Sequence, residues 1–255
     1  MARFDGKRIL VTGSGTGIGQ AAARVFLDEG ARVAINDITP DAVERSIAEL
    51  GVDGLVAATG DLSSVAGAQA AVTQALDGLG GLDVLINNAG IYREASIGET
   101  DEALWDAVMN VNLKGVFFAS RAALPALKVS KGVIINVSSE AGVIGMPLIS
   151  AYCASKAGVM GLTRAFAMEL VPDVRVACVC PAPTDTRIFD DALSKAEDPD
   201  AYRHSLAAYT PMKRIARPEE VAATIAFLAS ADASLITGTA LMVEGGVTAG
   251  KASFA

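Results

Sequence analysis

Thr12-Gly13-Ser14-Gly15-Thr16-Gly17-Ile18-Gly19 stands between an apolar run, residues 8–12, and a segment of helical character, residues 20–29. That setting decides the fold. A strand that ends in a glycine-rich turn and opens a helix is the first unit of a parallel sheet built to hold a nucleotide. The glycines allow a tight turn and let a pyrophosphate approach backbone N–H groups at the positive end of the helix. Gly13, Thr16, Gly17, Ile18 and Gly19 are therefore candidate cofactor contacts. The same glycines without the flanking strand and helix would describe only a structural turn.

Outward from this turn, short β-like runs alternate with longer amphipathic or Ala-rich segments, the pattern of a parallel sheet covered by helices on both faces. The further strands are expected at 32–36, 55–58, 84–87, 133–137, 174–179 and 240–243, seven with the first. Thr39 and Pro40 open the second helix and Gly51 closes it; Thr100 is expected to cap a helix through Leu113, and Pro218 to open one ending near Ser230. No linker, repeat or low-complexity tract interrupts the chain, so residues 1–255 are read as a single α/β domain. Between about 187 and 216 the pattern loosens into a helical flap.

Asp37 closes the second strand about twenty residues beyond the turn, where a carboxylate hydrogen-bonds the adenosine ribose and repels a 2′-phosphate. No Arg or Lys occurs within 14–19 and Ile38 follows Asp37, so the expected cofactor is NAD. A competing reading has Asp37 only capping the next helix, which Thr39 can do instead. Asp61 and Leu62 after the third strand resemble an adenine-edge contact, although Asp61 serves equally as a turn residue.

Chemistry comes from Tyr152 and Lys156, four apart and so on one helical face, with Ser139 upstream at the end of a strand-like run. A tyrosine ionises near pH ~10. A cation about 4 Å away, at an effective dielectric of about 20, is worth roughly 4 kcal/mol and would lower that pKa by as much as ~3. The spacing thus predicts a phenol tuned toward neutrality, able to give or take a proton.

With a formal charge of −8 the chain repels phosphate, so neither nucleic acid nor an anionic membrane is an expected partner. No apolar stretch is long enough to span a bilayer, and no signal region opens the chain, which suggests a cytoplasmic protein. The three cysteines, Cys153, Cys178 and Cys180, read as reduced, buried thiols. His204 is the only histidine and no His/Cys cluster has metal-ligand spacing, so no metal is expected.

In sequence order, Thr12–Gly19, Asn87-Asn88-Ala89-Gly90, Asn112, Ser139, and Tyr152 with Lys156 resemble the short-chain dehydrogenase/reductase family, in its NAD-dependent branch of about this length. The resemblance implies a single-domain, doubly wound Rossmann fold with strand order 3-2-1-4-5-6-7, a catalytic set of Asn112, Ser139, Tyr152 and Lys156, and further cofactor contacts at Asn88, Ala89 and Gly90. It also implies that Tyr152 and Lys156 touch the cofactor, Lys156 through the nicotinamide ribose, and that Asn112 holds a water linking Lys156 to solvent. Pro181-Ala182-Pro183-Thr184-Asp185-Thr186 is similar to the family's nicotinamide segment, with Pro181, Thr184 and Thr186 as contacts, but Ala182 stands where the family usually has Gly. A homotetramer is implied, with small residues on the Tyr152 helix admitting close approach.

The implied activity is reversible hydride transfer between NAD and a small-molecule alcohol or ketone. The segment 141–148 and, in the flap, Ile188, Phe189, Leu193 and Tyr202 suggest an apolar pocket wall. Glu140, Arg93, Arg187, Arg203 and His204 would instead select a polar or charged substrate. Two other functions fit the same scaffold: a nucleotide-binding regulatory protein without turnover, and an NAD-using lyase or epimerase.

Overall fold

The computed structural model describes residues 2–186, 196 and 198–250. Seven strands, β1 (Arg8–Val11), β2 (Arg32–Ile35), β3 (Val56–Ala57), β4 (Val84–Asn87), β5 (Val133–Val137), β6 (Arg175–Pro181) and β7 (Ala240–Val243), form one sheet in the order β3-β2-β1-β4-β5-β6-β7. Every pairing is parallel. This is the doubly wound Rossmann sheet that the sequence predicts, with its third strand shortened to two residues.

Apolar residues fill both sides of each strand because both faces are covered. Ile9, Val11, Val33, Ile35, Ile86 and Ile135 enter one core with helices α1 (Gly17–Asp28), α2 (Pro40–Leu50) and α8 (Pro218–Ala229). Their alternating neighbours Leu10, Ala34, Leu85, Ile134 and Val176 enter the other, against α3 (Val65–Leu79), α5 (Gly115–Ser130) and α6 (Ser150–Leu170). Burying each such Ile, Leu or Val contributes about 1.5–3 kcal/mol, so the two cores hold the sheet against its helices. The chain reverses direction across the sheet between β1 and β4, and the turns after their C-terminal ends open the crevice where α/β sheets bind ligands.

Thr39 caps α2 by accepting from the Ala42 amide at 3.3 Å, and Gly51 ends it at φ 62°. The cap expected at Thr100 lies one residue on. Asp101 accepts from the Leu104 amide at 2.8 Å and opens α4 (Glu102–Met109), while the Thr100 hydroxyl donates to the Ser96 carbonyl. Nor does α4 run to Leu113 as a regular helix: the ladder widens to a π-turn at Asn110–Lys114 before α5 resumes it. Helix α1 begins at Gly17, three residues earlier than expected, because the turn itself winds into it. Helix α7 (Pro199–Tyr209) covers the crevice from the flap region. Of the cysteines, Cys178 and Cys180 are buried free thiols, whereas Cys153 is only half-buried. Val176 and Cys178 belong to different clusters, since a third one joins the cysteines to Val116 and Val159.

Candidate active site

The turn after β1 is built by contacts that only glycine permits. Gly13 has φ 59°, and a Cβ on it would stand 2.7 Å from the Ala89 Cα; a Cβ on Gly19 would overlap the Gly13 carbonyl and reach 2.5 Å from Asn88 Nδ2. Thr12 ties this turn to the loop after β4: its Oγ1 accepts from the Asn88 amide at 3.0 Å and the Ala89 amide at 3.1 Å. Asn88 returns the contact, donating to the carbonyls of Thr12 at 3.0 Å and Gly13 at 2.9 Å. Asn36 closes the other side, accepting from the Gly13 amide at 3.2 Å and donating to the Ala58 carbonyl at 2.7 Å. Its buried position is the signal that sequence reasoning passed over, a polar residue ending an apolar strand.

Thr16 precedes α1 in extended conformation and its side chain caps none of the helix's first amides. No acidic residue occupies the first turn. A pyrophosphate fits such an end, which supplies donors and a positive dipole. Asp37 Oδ2 lies against Gly15, where a Cβ would overlap it, and Oδ1 accepts from the Ile38 amide at 2.6 Å. Asp61 both lines the cleft and makes its own turn, accepting from the Ser63 amide at 2.9 Å.

The cleft has a volume of about 510 Å³, within the range of small-molecule sites. Gly13, Thr16, Gly17 and Ile18 line it, as do Asp37, Asp61 and Leu62. Asn88, Ala89, Gly90, Pro181, Thr184 and Thr186 continue the same wall to Ser139, Tyr152 and Lys156. Two predicted residues stand behind that wall rather than on it. Gly19 packs under the turn, and Asn112 is fully buried in the π-turn. There Asn112 Oδ1 accepts from the Ile91 amide at 2.8 Å, and Nδ2 donates to the Ile91 carbonyl at 2.9 Å and to Ser155 Oγ at 3.2 Å. The residue thus clamps the loop after β4 to α6.

Ser139 ends the β5 side of the cleft, and its Oγ accepts from the Ala141 amide at 3.2 Å. Lys156 Nζ donates to the Val137 carbonyl at 3.0 Å and lies 5.6 Å from the centre of the Tyr152 ring. The spacing predicts an ammonium beside the phenol oxygen that lowers its pKa. The chain shows the opposite direction. Burial raises the Tyr152 pKa, the Glu140 carboxyl raises it further, and only the Ser139 hydroxyl opposes them. Lys156, itself buried, is pulled down to about 8, with the Cys178 and Cys180 thiols resisting that fall. The ammonium's tie is to the strand behind it, which the four-residue spacing does not reveal.

Toward the flap the cleft becomes aromatic and apolar, with Tyr92, Met146, Ile149, Tyr202, Leu206 and Tyr209. The Tyr92 and Tyr152 rings meet edge to face at 5.3 Å. Tyr92 was not foreseen, since nothing in its immediate sequence marks it. From the expected apolar wall Ala141 and Met146 reach the cleft; Arg187, Ile188, Phe189 and Leu193 lie outside the described residues. Arg93, Arg203 and His204 are exposed, and Arg203 pairs with Asp185 at 3.1 Å. Lys156 is the one cationic side chain lining the cleft among the described residues. Among those residues, no group of three or more His, Cys, Asp or Glu could hold a metal, and no helix is long and apolar enough to cross a membrane.

Comparison with known proteins gives a consistent picture. A family model described as Enoyl-(Acyl carrier protein) reductase matches residues 13–248. The chain is 41% identical over 252 residues to 2-(S)-hydroxypropyl-CoM dehydrogenase 3 of Xanthobacter autotrophicus, covering 97% of this chain and 98% of that one. It is 40% identical over 248 residues to meso-2,3-butanediol dehydrogenase of Serratia marcescens, covering 97% and 96%. A crystal structure of a "putative short-chain alcohol dehydrogenase" from Sinorhizobium meliloti superposes with a TM-score of 0.90 at 32% identity, covering 98% of this chain and 100% of that one.

Proposed function

The chain belongs to the short-chain dehydrogenase/reductase family, and from that premise we propose that it is an NAD(H)-dependent oxidoreductase interconverting a secondary alcohol and a ketone. The observation that carries this reading is the convergence of Ser139, Tyr152 and Lys156 on one cleft whose other end is the glycine turn with Asp37. When bound there, the nicotinamide supplies or accepts the hydride. Everything else falls to the protein's own side chains.

Gly13, Thr16, Gly17 and Ile18, with the first amides of α1, hold the pyrophosphate. Asp37 accepts from the adenosine ribose hydroxyls and excludes a 2′-phosphate by charge. Asn88, Ala89 and Gly90, with Pro181, Thr184 and Thr186, form the wall on which the nicotinamide half rests, and Asp61 and Leu62 border the adenine. Ser139 donates to the substrate oxygen, and Tyr152 gives that oxygen its proton in reduction or removes it in oxidation. One well-placed donor to a developing oxyanion is worth about 3 kcal/mol. Lys156, next to Gly90, holds the nicotinamide ribose. Asn112 keeps the π-turn open as a path for a water-borne proton.

The apolar and aromatic flap end suits a medium-sized, largely apolar alcohol or ketone, and the reading as an alcohol dehydrogenase is supported by likeness to a 2-(S)-hydroxypropyl-CoM dehydrogenase and a meso-2,3-butanediol dehydrogenase. We read the chain as one domain whose α7 segment is the substrate flap. Assembly as a homotetramer is supported by the outer faces of α5 and α6, where Phe117 and Met168 are exposed and Gly161 has open space beside it. Part of that small-residue stripe works within the chain, since a Cβ on Gly158 would meet Leu113 at 2.8 Å. Light scattering at micromolar concentration tests the assembly; a monomeric mass rejects it. Activity is tested by following nicotinamide absorbance with NAD and NADP across secondary alcohols, sugars, acyl thioesters and hydroxy acids. Turnover confined to charged substrates would reject the apolar pocket, and none with any alcohol would reject the function.

A further inference from the structure

Glu140 follows Ser139 directly, in the short 3₁₀ turn Glu140–Gly142, and is only 4% exposed although it lines the cleft. The Ser139 hydroxyl donates to Glu140 Oε2 at 3.2 Å. A serine has one hydrogen to give, and in reduction the substrate oxygen needs that same hydrogen. We propose, resting on the oxidoreductase reading above, that Glu140 is a positioning residue whose protonation decides where Ser139 points its hydrogen. Ionised, the carboxylate holds the hydrogen in a charge-assisted bond and leaves the substrate oxygen without it. Neutral, Glu140 turns donor toward Ser139 Oγ, and the serine hydrogen swings to the substrate. The two bonds then run in one direction and polarise each other.

The surroundings bring the ionisation of this carboxyl up to the neutral pH range. Burial pushes the carboxyl up to about 7, its own amide and the Ser139 hydroxyl hold it down, and the nearby Glu244 raises it again. Facing it are Glu244 from the loop after β7, Tyr209 from the end of α7, Tyr152 from α6 and Cys180 from β6. All of these are acids, and the one cationic side chain lining the cleft among the described residues, Lys156, is tied to the Val137 carbonyl. The same carboxyl raises Tyr152, which ties the proton donor and the serine to one ionisation.

The test is the pH profile of kcat/KM for ketone reduction in the wild type, Glu140→Gln and Glu140→Ala. In the wild type it should fall about tenfold per pH unit from about 7, as one ionisation requires, and more steeply above about 8, where Lys156 also loses its charge. In both variants that limb should vanish, leaving a fall only from about 8 upward, where Lys156 loses its charge. A wild-type limb near 7 that survives both substitutions overturns the proposal, as does a uniform loss at every pH with the limb intact. A second measurement needs no turnover. By ¹³C NMR of the protein alone, the Glu140 carboxyl should titrate higher in Ser139→Ala than in the wild type, because the hydrogen bond to its ionised form is gone; an unchanged titration overturns the proposal. Absence of nicotinamide-linked turnover in the wild type, with that NMR shift present, would instead reject the oxidoreductase reading.

Discussion

The Asp37 carboxylate lies over Gly15 so closely that a Cβ on Gly15 would overlap its Oδ2. Turn and carboxylate therefore form one surface at this end of the cleft, and on the proposed NAD reading a 2′-phosphate bound there would meet negative charge at short range. Replacing Asp37 by Ala should narrow the preference for NAD over NADP by about tenfold or more, corresponding to ~1.4 kcal/mol. Steady-state kinetics with both cofactors measure it. An unchanged ratio clears Asp37 of that duty.

Gly19 is held between the Gly13 carbonyl and the Asn88 amide. Gly19→Ala should cost about 1–3 kcal/mol by overpacking and weaken NADH binding, because the displaced atoms belong to the turn itself. Thermal unfolding and a fluorescence titration with NADH read the two effects separately. A variant with wild-type melting and wild-type affinity would show that the turn yields without cost.

Tyr152→Phe keeps the ring against Tyr92 and removes only the hydroxyl. It should bind NADH nearly as the wild type does while losing turnover by about a thousandfold or more, within the reach of general acid–base catalysis combined with a lost donor. Near-normal turnover would remove Tyr152 from proton transfer.

Glu140 also leaves a mark on stability. Its folded pKa of about 7 exceeds the ordinary 4.5, so between those values the folded chain holds a proton that the unfolded chain has released. Stability from this group is complete below about 4.5 and lost as pH rises through about 7, by roughly 3 kcal/mol. Glu140→Gln lacks the ionisation. Denaturant unfolding of both proteins from pH 5 to 8 should show the wild type losing stability relative to the variant. Parallel curves would mean that the carboxyl is not held neutral.

The strand runs and the cap at Thr39 were legible because each rests on local pattern, a continuous apolar run or a capping hydroxyl, whereas the strand order followed from the family resemblance; the residues expected at the site line one cleft, apart from Gly19 and Asn112. What was not legible depends on contacts between distant segments. Thr100 and Asp101 are both good caps by type, and only the Thr100 bond to Ser96 leaves the duty to Asp101. Asn36 becomes a brace only when β1 and β3 flank β2. The raised Tyr152 pKa follows from burial and from Glu140, whereas helical spacing says nothing of the Val137 carbonyl that holds the Lys156 ammonium.

Hydride transfer to a carbonyl carbon is the central claim, and isotope transfer tests it most directly. NADH carrying deuterium at both C4 positions of the nicotinamide should be incubated with a panel of ketones and the products weighed by mass spectrometry. The account predicts one deuterium on the carbinol carbon, with oxidised cofactor released in equal amount, and almost none with Tyr152→Phe. Tight NADH binding with no deuterium delivered to any ketone, or deuterium cycling on a retained cofactor during elimination or epimerisation, would contradict it.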